Sequence, residues 1–233
     1  LVSDTHFGHW GVCKFLREDN VTKLRPWDNP NDMDEAMVKL WNETVKPTDK
    51  VYHLGDVVIN RKALKTLARL NGDKVLIKGN HDIFRLREYA EYFRDIRGYH
   101  VMNNMILSHI PVHPDSKGRF TANIHGHLHA NRVMMKTFKM VPDPAYMNVC
   151  VEHTDYAPIL FEDICKKILE EGAVKITEVK GSGAGGKITK EDALTEFTVS
   201  VLAVIELNIL EFFQLPVDPS YTRRSLSADP VIE

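Results

Sequence analysis

The chain has 233 residues, 43% of them apolar and 27% charged, with a formal net charge of -2. That length suits one large domain or a domain with an appendage, and the near-neutral balance argues against a strongly basic surface made for nucleic acid. Cys13, Cys150 and Cys165 lack metal-like spacing and a disulfide pattern, which fits a reducing cytoplasm, and no segment reads as a signal peptide or a membrane span.

The first stretch of interest is Val2-Ser3-Asp4-Thr5-His6, an apolar start that ends in a carboxylate and an imidazole two residues apart. Asp4 follows the first residue so closely that this strand reads as clipped, with a few residues expected ahead of it. His9 continues the same loop, either reaching the same chemistry or packing the loop. Pro26 and Pro30 mark a further loop, and Asn31 is expected to cap a helix whose Met33, Ala36, Met37, Leu40 and Trp41 form a core stripe. Thr48-Asp49 turns into a second apolar run, Val51 to Leu54, which ends in Gly55-Asp56. A carboxylate there can bridge two ions, because both its oxygens can be donors. His53 lies inside the run and reads as core or as support behind a ligand.

Leu64, Leu67, Ala68 and Leu70 predict a helix that Asn71-Gly72 terminates. Val75-Leu76-Ile77 follows as a strand, which predicts a right-handed parallel β-α-β unit. This run ends in Lys78-Gly79-Asn80-His81-Asp82, delivering polar side chains to a strand tip, where open α/β sheets place their ligands. Phe84, Leu86, Tyr89, Ala90 and Phe93 predict another helix. Tyr99 to Met102 and Met105 to Leu107, around Asn103-Asn104, predict a hairpin.

Ile106-Leu107-Ser108-His109 ends another apolar run in histidine, and His113 reads as a loop residue near substrate. A strand from Thr121 to Ile124 leads into His125-Gly126-His127-Leu128-His129, where His125 has the weakest claim to ligation and reads as support. Met147 to Val151 predicts a strand, and Leu160, Ile164, Cys165, Ile168 and Leu169 the buried stripe of a closing helix. Residues 174–186 are a glycine-rich linker, natural or an artificial join. Residues 187–233 are expected to be a mostly helical appendage of unassigned role. It opens on Thr189 and Asp192 in a capping-box pattern and carries an apolar stretch over 190–215 suited to self-association or a protein partner.

Aspartate, histidine and asparagine without thiolates suit Mn, Fe, Zn, Ni or Co, and there are enough of them here for two ions about 3.5 to 4 Å apart. Taken in order, Asp-x-His, Gly-Asp, Gly-Asn-His-Asp, His and Gly-His-x-His resemble the calcineurin-like metallophosphoesterase superfamily over residues 1 to about 170. The phrases Ser-Asp-Thr-His-Phe-Gly-His and Val-Tyr-His-Leu-Gly-Asp look like its small, capless phage and bacterial members. The segment from Phe197 is faintly similar to a bacterial kleisin winged-helix segment.

The resemblance implies an α/β fold, a four-layer αββα sandwich over residues 1–173, and two divalent ions, with Mn first in expectation. It assigns Asp4, His6, Asp56 and His129 to one ion and Asp56, Asn80, His109 and His127 to the other. A metal-bridging hydroxide would then hydrolyse a phosphomonoester or phosphodiester, a nucleotide or nucleic-acid end among the candidates. Neighbouring side chains in an extended turn point apart, so with Asn80 a ligand His81 is free to protonate the leaving oxygen or stabilise charge. Asp82 would fix the tautomer of His81 or cap the next helix. Two readings compete: a scaffold protein on the same fold, disfavoured because no ligand is missing, and a nuclease related to recombination exonucleases, which carry DNA-binding parts not seen here.

Overall fold

The structure, a computed structural model, describes residues 1–135 and 140–170. The expected linker, the 187–233 appendage and its kleisin-like stretch lie outside these residues. Helix α1 (Pro30–Thr44) leads to strand β1 (Lys50–His53), and β2 (Asp73–Ile77) and β3 (Asp95–Arg97) follow, with α2 (Leu86–Tyr89) between them. These strands form a parallel sheet in the order β1-β2-β3, Tyr52 standing opposite Val75. The second sheet runs β4 (Tyr99–Met102), β5 (Met105–Ser108), β6 (Ala122–His125) and β7 (Tyr146–Asn148). Its first pair is the expected antiparallel hairpin, and its other two pairings are parallel. Asn103 and Asn104 both take positive φ, at 48° and 55°, as a tight hairpin turn requires.

Alternation along the strands divides the core. Val51 and Leu76 join Met33, Met37, Trp41, Leu64 and Leu67 in one cluster on the α1 side. Tyr52, Leu54, Val75 and Ile77, the intervening residues, join Met105, Leu107, Ala122, Ile124 and Met147 between the sheets. Helix α4 (Phe161–Glu170) closes that second cluster with Ile164, Cys165 and Ile168. Leu160, placed in its buried stripe from sequence, is instead 54% exposed. Among the described residues, loops bond to the outer face of the second sheet: Asn123 accepts from Val112 N, and Asn148 donates to the carbonyls of His129 and Asn131. No helix among the described residues is long and apolar enough to cross a membrane.

Val2 and Ser3 tie the two sheets together. Val2 pairs with His53 of β1, and Ser3 with Cys150 just beyond β7, both in parallel. The segment that leads into Asp4 and His6 therefore runs down the seam between the sheets.

Three local expectations change. Asn29, not Asn31, caps α1, its side chain accepting from Asp32 N, because Pro30 has no N–H and fits the first helical position. Residues Arg61–Arg69 form a 3₁₀ run instead of an α-helix, with Leu64, Leu67 and Leu70, three residues apart, buried. The helix expected from Phe84 to Phe93 contracts to α2, although Tyr89 and Phe93 are buried as predicted.

Candidate metal centre

Three of the chemical blocks turn sharply through left-handed residues. Asp4 (φ 58°), His6 (49°), Asp56 (56°), His127 (70°) and His129 (49°) all have left-handed backbones, which cost non-glycine residues about 1 to 3 kcal/mol and cluster at functional sites. The turns aim side chains from three parts of the chain at one point. Two glycines make room for it. A β-carbon on Gly79 would run into the Asp56 carboxylate and approach His109 Cε1 to 3.0 Å, and one on Gly126 would run into Ser3 Oγ and Asp4 Oδ2.

Asp4 is fully buried. Its Oδ2 accepts from Ser3 Oγ (2.6 Å), His127 N (2.8 Å) and Cys150 Sγ (3.1 Å), while its Oδ1 has no hydrogen-bond partner. Facing that oxygen are His6 Nε2 at 3.7 Å and His129 Nε2 at 3.9 Å. Both ring nitrogens of His6 are also buried and unpartnered. An orphaned buried polar atom costs about 1 to 3 kcal/mol, so oxygen and nitrogen atoms left unpaired around one point fit a cation there. Asp4, His6 and His129 offer ligand atoms within 4.8 Å of one another, as do Asp4, Asp56 and His109.

Asp56 joins the two groups. Its Oδ2 lies 3.6 Å from His6 Nε2 and 3.4 Å from His109 Nε2, whereas its Oδ1 accepts from His81 N at 2.8 Å. One oxygen, not each of the two, thus faces both groups. His109 Nδ1 donates to the Leu54 carbonyl (2.8 Å), which leaves Nε2 facing Asn80 Oδ1 (2.8 Å) and Asp56 Oδ2. His127 Nδ1 lies 3.0 Å from the same Asn80 oxygen. A lone pair opposed by two oxygens needs a proton or a metal ion between them.

Electrostatics keep both carboxylates anionic. Burial acts to raise the Asp4 carboxyl, yet the nearby His6, with the charges of His109 and His129, holds it well below the usual range. For Asp56, burial is opposed by His109, 3.4 Å away, and the net direction is again down. Burial lowers His6, which keeps its imidazole neutral. In His109 the Asp56 interaction outweighs burial and the pKa rises. Anionic carboxylates beside a neutral imidazole form a donor set for a divalent cation.

The remaining expectations divide. His81 is exposed, with its ring centroid 5.6 Å from that of His6. Among the described residues no hydrogen bond joins it to Asp82. Both Asp82 oxygens are occupied by backbone N–H groups, those of Asp56 (3.0 Å), Val57 (2.9 Å) and Gly79 (2.8 Å), so Asp82 ties the Asp56 loop to the Gly79 loop instead of fixing an imidazole. Nor does it cap α2, which starts after Arg85. His53 is fully buried, bonded to Gly55 N and Thr5 Oγ1, and burial pushes it down to about 3, which makes it neutral support for the loop carrying Asp56. His125 bonds the Gly126 carbonyl. His9 sits with its ring 5.5 Å from His6, its Nδ1 buried without a partner, and burial pushes it down to about 4. His113 is exposed and caps α3 (Pro114–Lys117).

Two residues at the centre were not expected. Glu152 Oε1 lies 3.1 Å from His129 Nδ1, and the same oxygen accepts from Arg25 Nε at 2.9 Å. Glu152 had a signal in the sequence: Val149-Cys150-Val151-Glu152 is one more apolar run ending in a carboxylate. Arg25 had none, because its partner lies 127 residues away.

The family model described as calcineurin-like phosphoesterase matches residues 1–173, and the chain belongs to that family. It is 37% identical over 185 residues to an uncharacterized protein of Methanocaldococcus jannaschii, covering 75% of this chain and 92% of the relative. It is 30% identical over 173 residues to the Gene 66 protein of a Mycobacterium phage, covering 59% and 80%. A crystal structure of a protein of unknown function from Aquifex aeolicus superposes with a TM-score of 0.50 at 25% identity, covering 71% of this chain and 96% of that one. A second model, the e3 binding domain, matches residues 166–194, across the junction where the sequence places a linker.

Proposed function

We propose that this chain hydrolyses phosphate esters with two divalent ions, Mn first among them, held at the Asp56 oxygen. The observation that carries this reading is the convergence of unpartnered buried atoms, Asp4 Oδ1 and His6 Nε2, with Asp56 Oδ2 and the Asn80, His109 and His127 group. Asp4, His6, Asp56 and His129 would hold one ion, and Asp56, Asn80, His109 and His127 the other. Such a pair of ions lowers the pKa of bound water towards neutrality and offsets charge on phosphoryl oxygens.

The protein's own part is to fix these donors and supply a proton. His81 is held by its backbone N–H on Asp56 Oδ1, and its exposed ring beside His6 opens to the side from which an ester would enter. This supports a role for the imidazole in protonating the departing oxygen or stabilising developing charge. The substrate is a monoester or diester, a nucleotide or nucleic-acid end included. The catalytic unit is residues 1–173, and the stretch 190–215 is kept for self-association or a protein partner.

The test is to strip the full chain with EDTA, restore Mn, and measure hydrolysis of a matched nitrophenyl monoester and diester and of a cyclic-nucleotide panel. Activity lost with EDTA and regained with Mn is expected. Inactivity on every ester with Mn, Fe, Co, Ni and Zn would sink the enzymatic reading in favour of a scaffold.

A further inference from the structure

Among the described residues Arg25 is the second-largest fully buried side chain, and the Glu152 side chain has no exposed surface either. Removing two such charges from water costs several kcal/mol each, and an ion pair regains that only through good geometry and further hydrogen bonds. Apart from a contact of Arg25 Nη1 with Met33 Sδ (3.4 Å), the further bonds reach one place. Besides Glu152, the Arg25 guanidinium donates to the carbonyl oxygens of Thr5 (2.7 Å) and Asp4. Those two peptides belong to the left-handed turn that projects Asp4 and His6. The Glu152 oxygen that receives Arg25 Nε also receives His129 Nδ1–H, so Nε2 of His129 is the atom turned towards Asp4 Oδ1.

In the other half, Asp82 braces the loops of Asp56 and Asn80 through backbone N–H groups, but among the described residues no carboxylate stands behind either histidine. His109 is oriented by a neutral carbonyl, that of Leu54, and His127 faces Asn80. Asn80 itself is exposed.

We infer that Arg25 and Glu152 form a buried positioning pair for the Asp4, His6 and His129 half of the centre, clamping the turn and orienting His129 for an ion held there. Neither side chain touches substrate. A carboxylate behind a ligating imidazole fixes its tautomer and raises its basicity, and loss of such support typically costs about 10- to 100-fold in metal affinity or activity. Because the pair reaches only one half, its loss is expected to weaken one ion selectively. The inference rests on the two-ion reading above, and the experiment separates the two.

The full chain, stripped and titrated with Mn by calorimetry, is compared with Glu152→Ala, Glu152→Gln and His109→Ala, each checked for folding by circular dichroism. Two bound ions in the parent are expected; none would overturn the two-ion reading itself. In Glu152→Ala one class of site should weaken about 10- to 100-fold with the other unchanged, and kcat should fall more than KM rises. Glu152→Gln keeps an oxygen for the His129 N–H and should recover part of that affinity, while His109→Ala should weaken the opposite class. The positioning role is overturned if the parent binds two ions and a folded Glu152→Gln and Glu152→Ala bind both as the parent does, or weaken both equally. Should Glu152→Ala not fold, Glu152→Gln decides alone: one class selectively weakened supports the role, and unchanged or equal classes remove it.

Discussion

His109 Nε2 and Asp56 Oδ2 stand 3.4 Å apart although one follows β5 and the other β1, strands of different sheets. The same oxygen is 3.6 Å from His6 Nε2, at the seam between the sheets. Asp56 is thus the point at which the two halves of the sandwich share one charge. Asp56→Asn should reduce metal content at both sites and lower kcat/KM by at least about 10²-fold, the upper end of losses from residues behind the ligands. Plasma emission analysis of the purified variant checks this, and metal content equal to the parent's would show that Asp56 is not shared.

His81 is expected to act on the ester rather than on the ions. His81→Ala should keep both ions and lose about 10²- to 10⁴-fold in kcat on poor leaving groups, with less loss on nitrophenolate, because a general acid matters most where the departing oxygen is basic. Rates across a series of phenyl esters measure this. A loss independent of leaving group would remove the proton donor and leave only charge stabilisation.

Every strand tip that bears a candidate ligand was visible in the sequence, because an apolar run ending in Asp, Asn or His is a local pattern. The hairpin was visible for the same reason. Contacts between distant residues left no such trace. Asp82 shows this well: its type and position suited an orienting role beside His81, but three backbone N–H groups from neighbouring loops claim its oxygens first. The 3₁₀ run was concealed because apolar residues three and four apart fit either helix, and only packing against the sheet selects between them.

Residues of the proposed centre all lie at or before Glu152, and the family match ends at residue 173. Truncation after Val179 is therefore expected to leave kcat/KM and metal content unchanged. Solution mass, measured alongside, tests whether the removed stretch mediates association. Lost metal binding would mean that the catalytic unit extends further than residue 173.

Asp34 sets a pH dependence of stability outside the centre. Its carboxylate is partly buried in α1 and accepts from Gly8 N at 3.1 Å, but burial outweighs that bond and pushes its pKa up from 3.8 to about 6. Between these values the folded chain keeps a proton that the unfolded chain has released. Stability from this group is therefore fully present below about pH 4, falls as pH rises to about 6, and stays reduced above that. The gap corresponds to about 3 kcal/mol as an upper figure, since the side chain keeps some contact with water. Asparagine has an oxygen for the Gly8 N–H and no charge to bury. Asp34→Asn should accordingly raise Tm at neutral pH, with the gain shrinking towards zero as pH falls below about 4. Thermal unfolding of both proteins across that range is the check, and a gain that persisted undiminished in acid would show that packing, not the buried charge, is responsible.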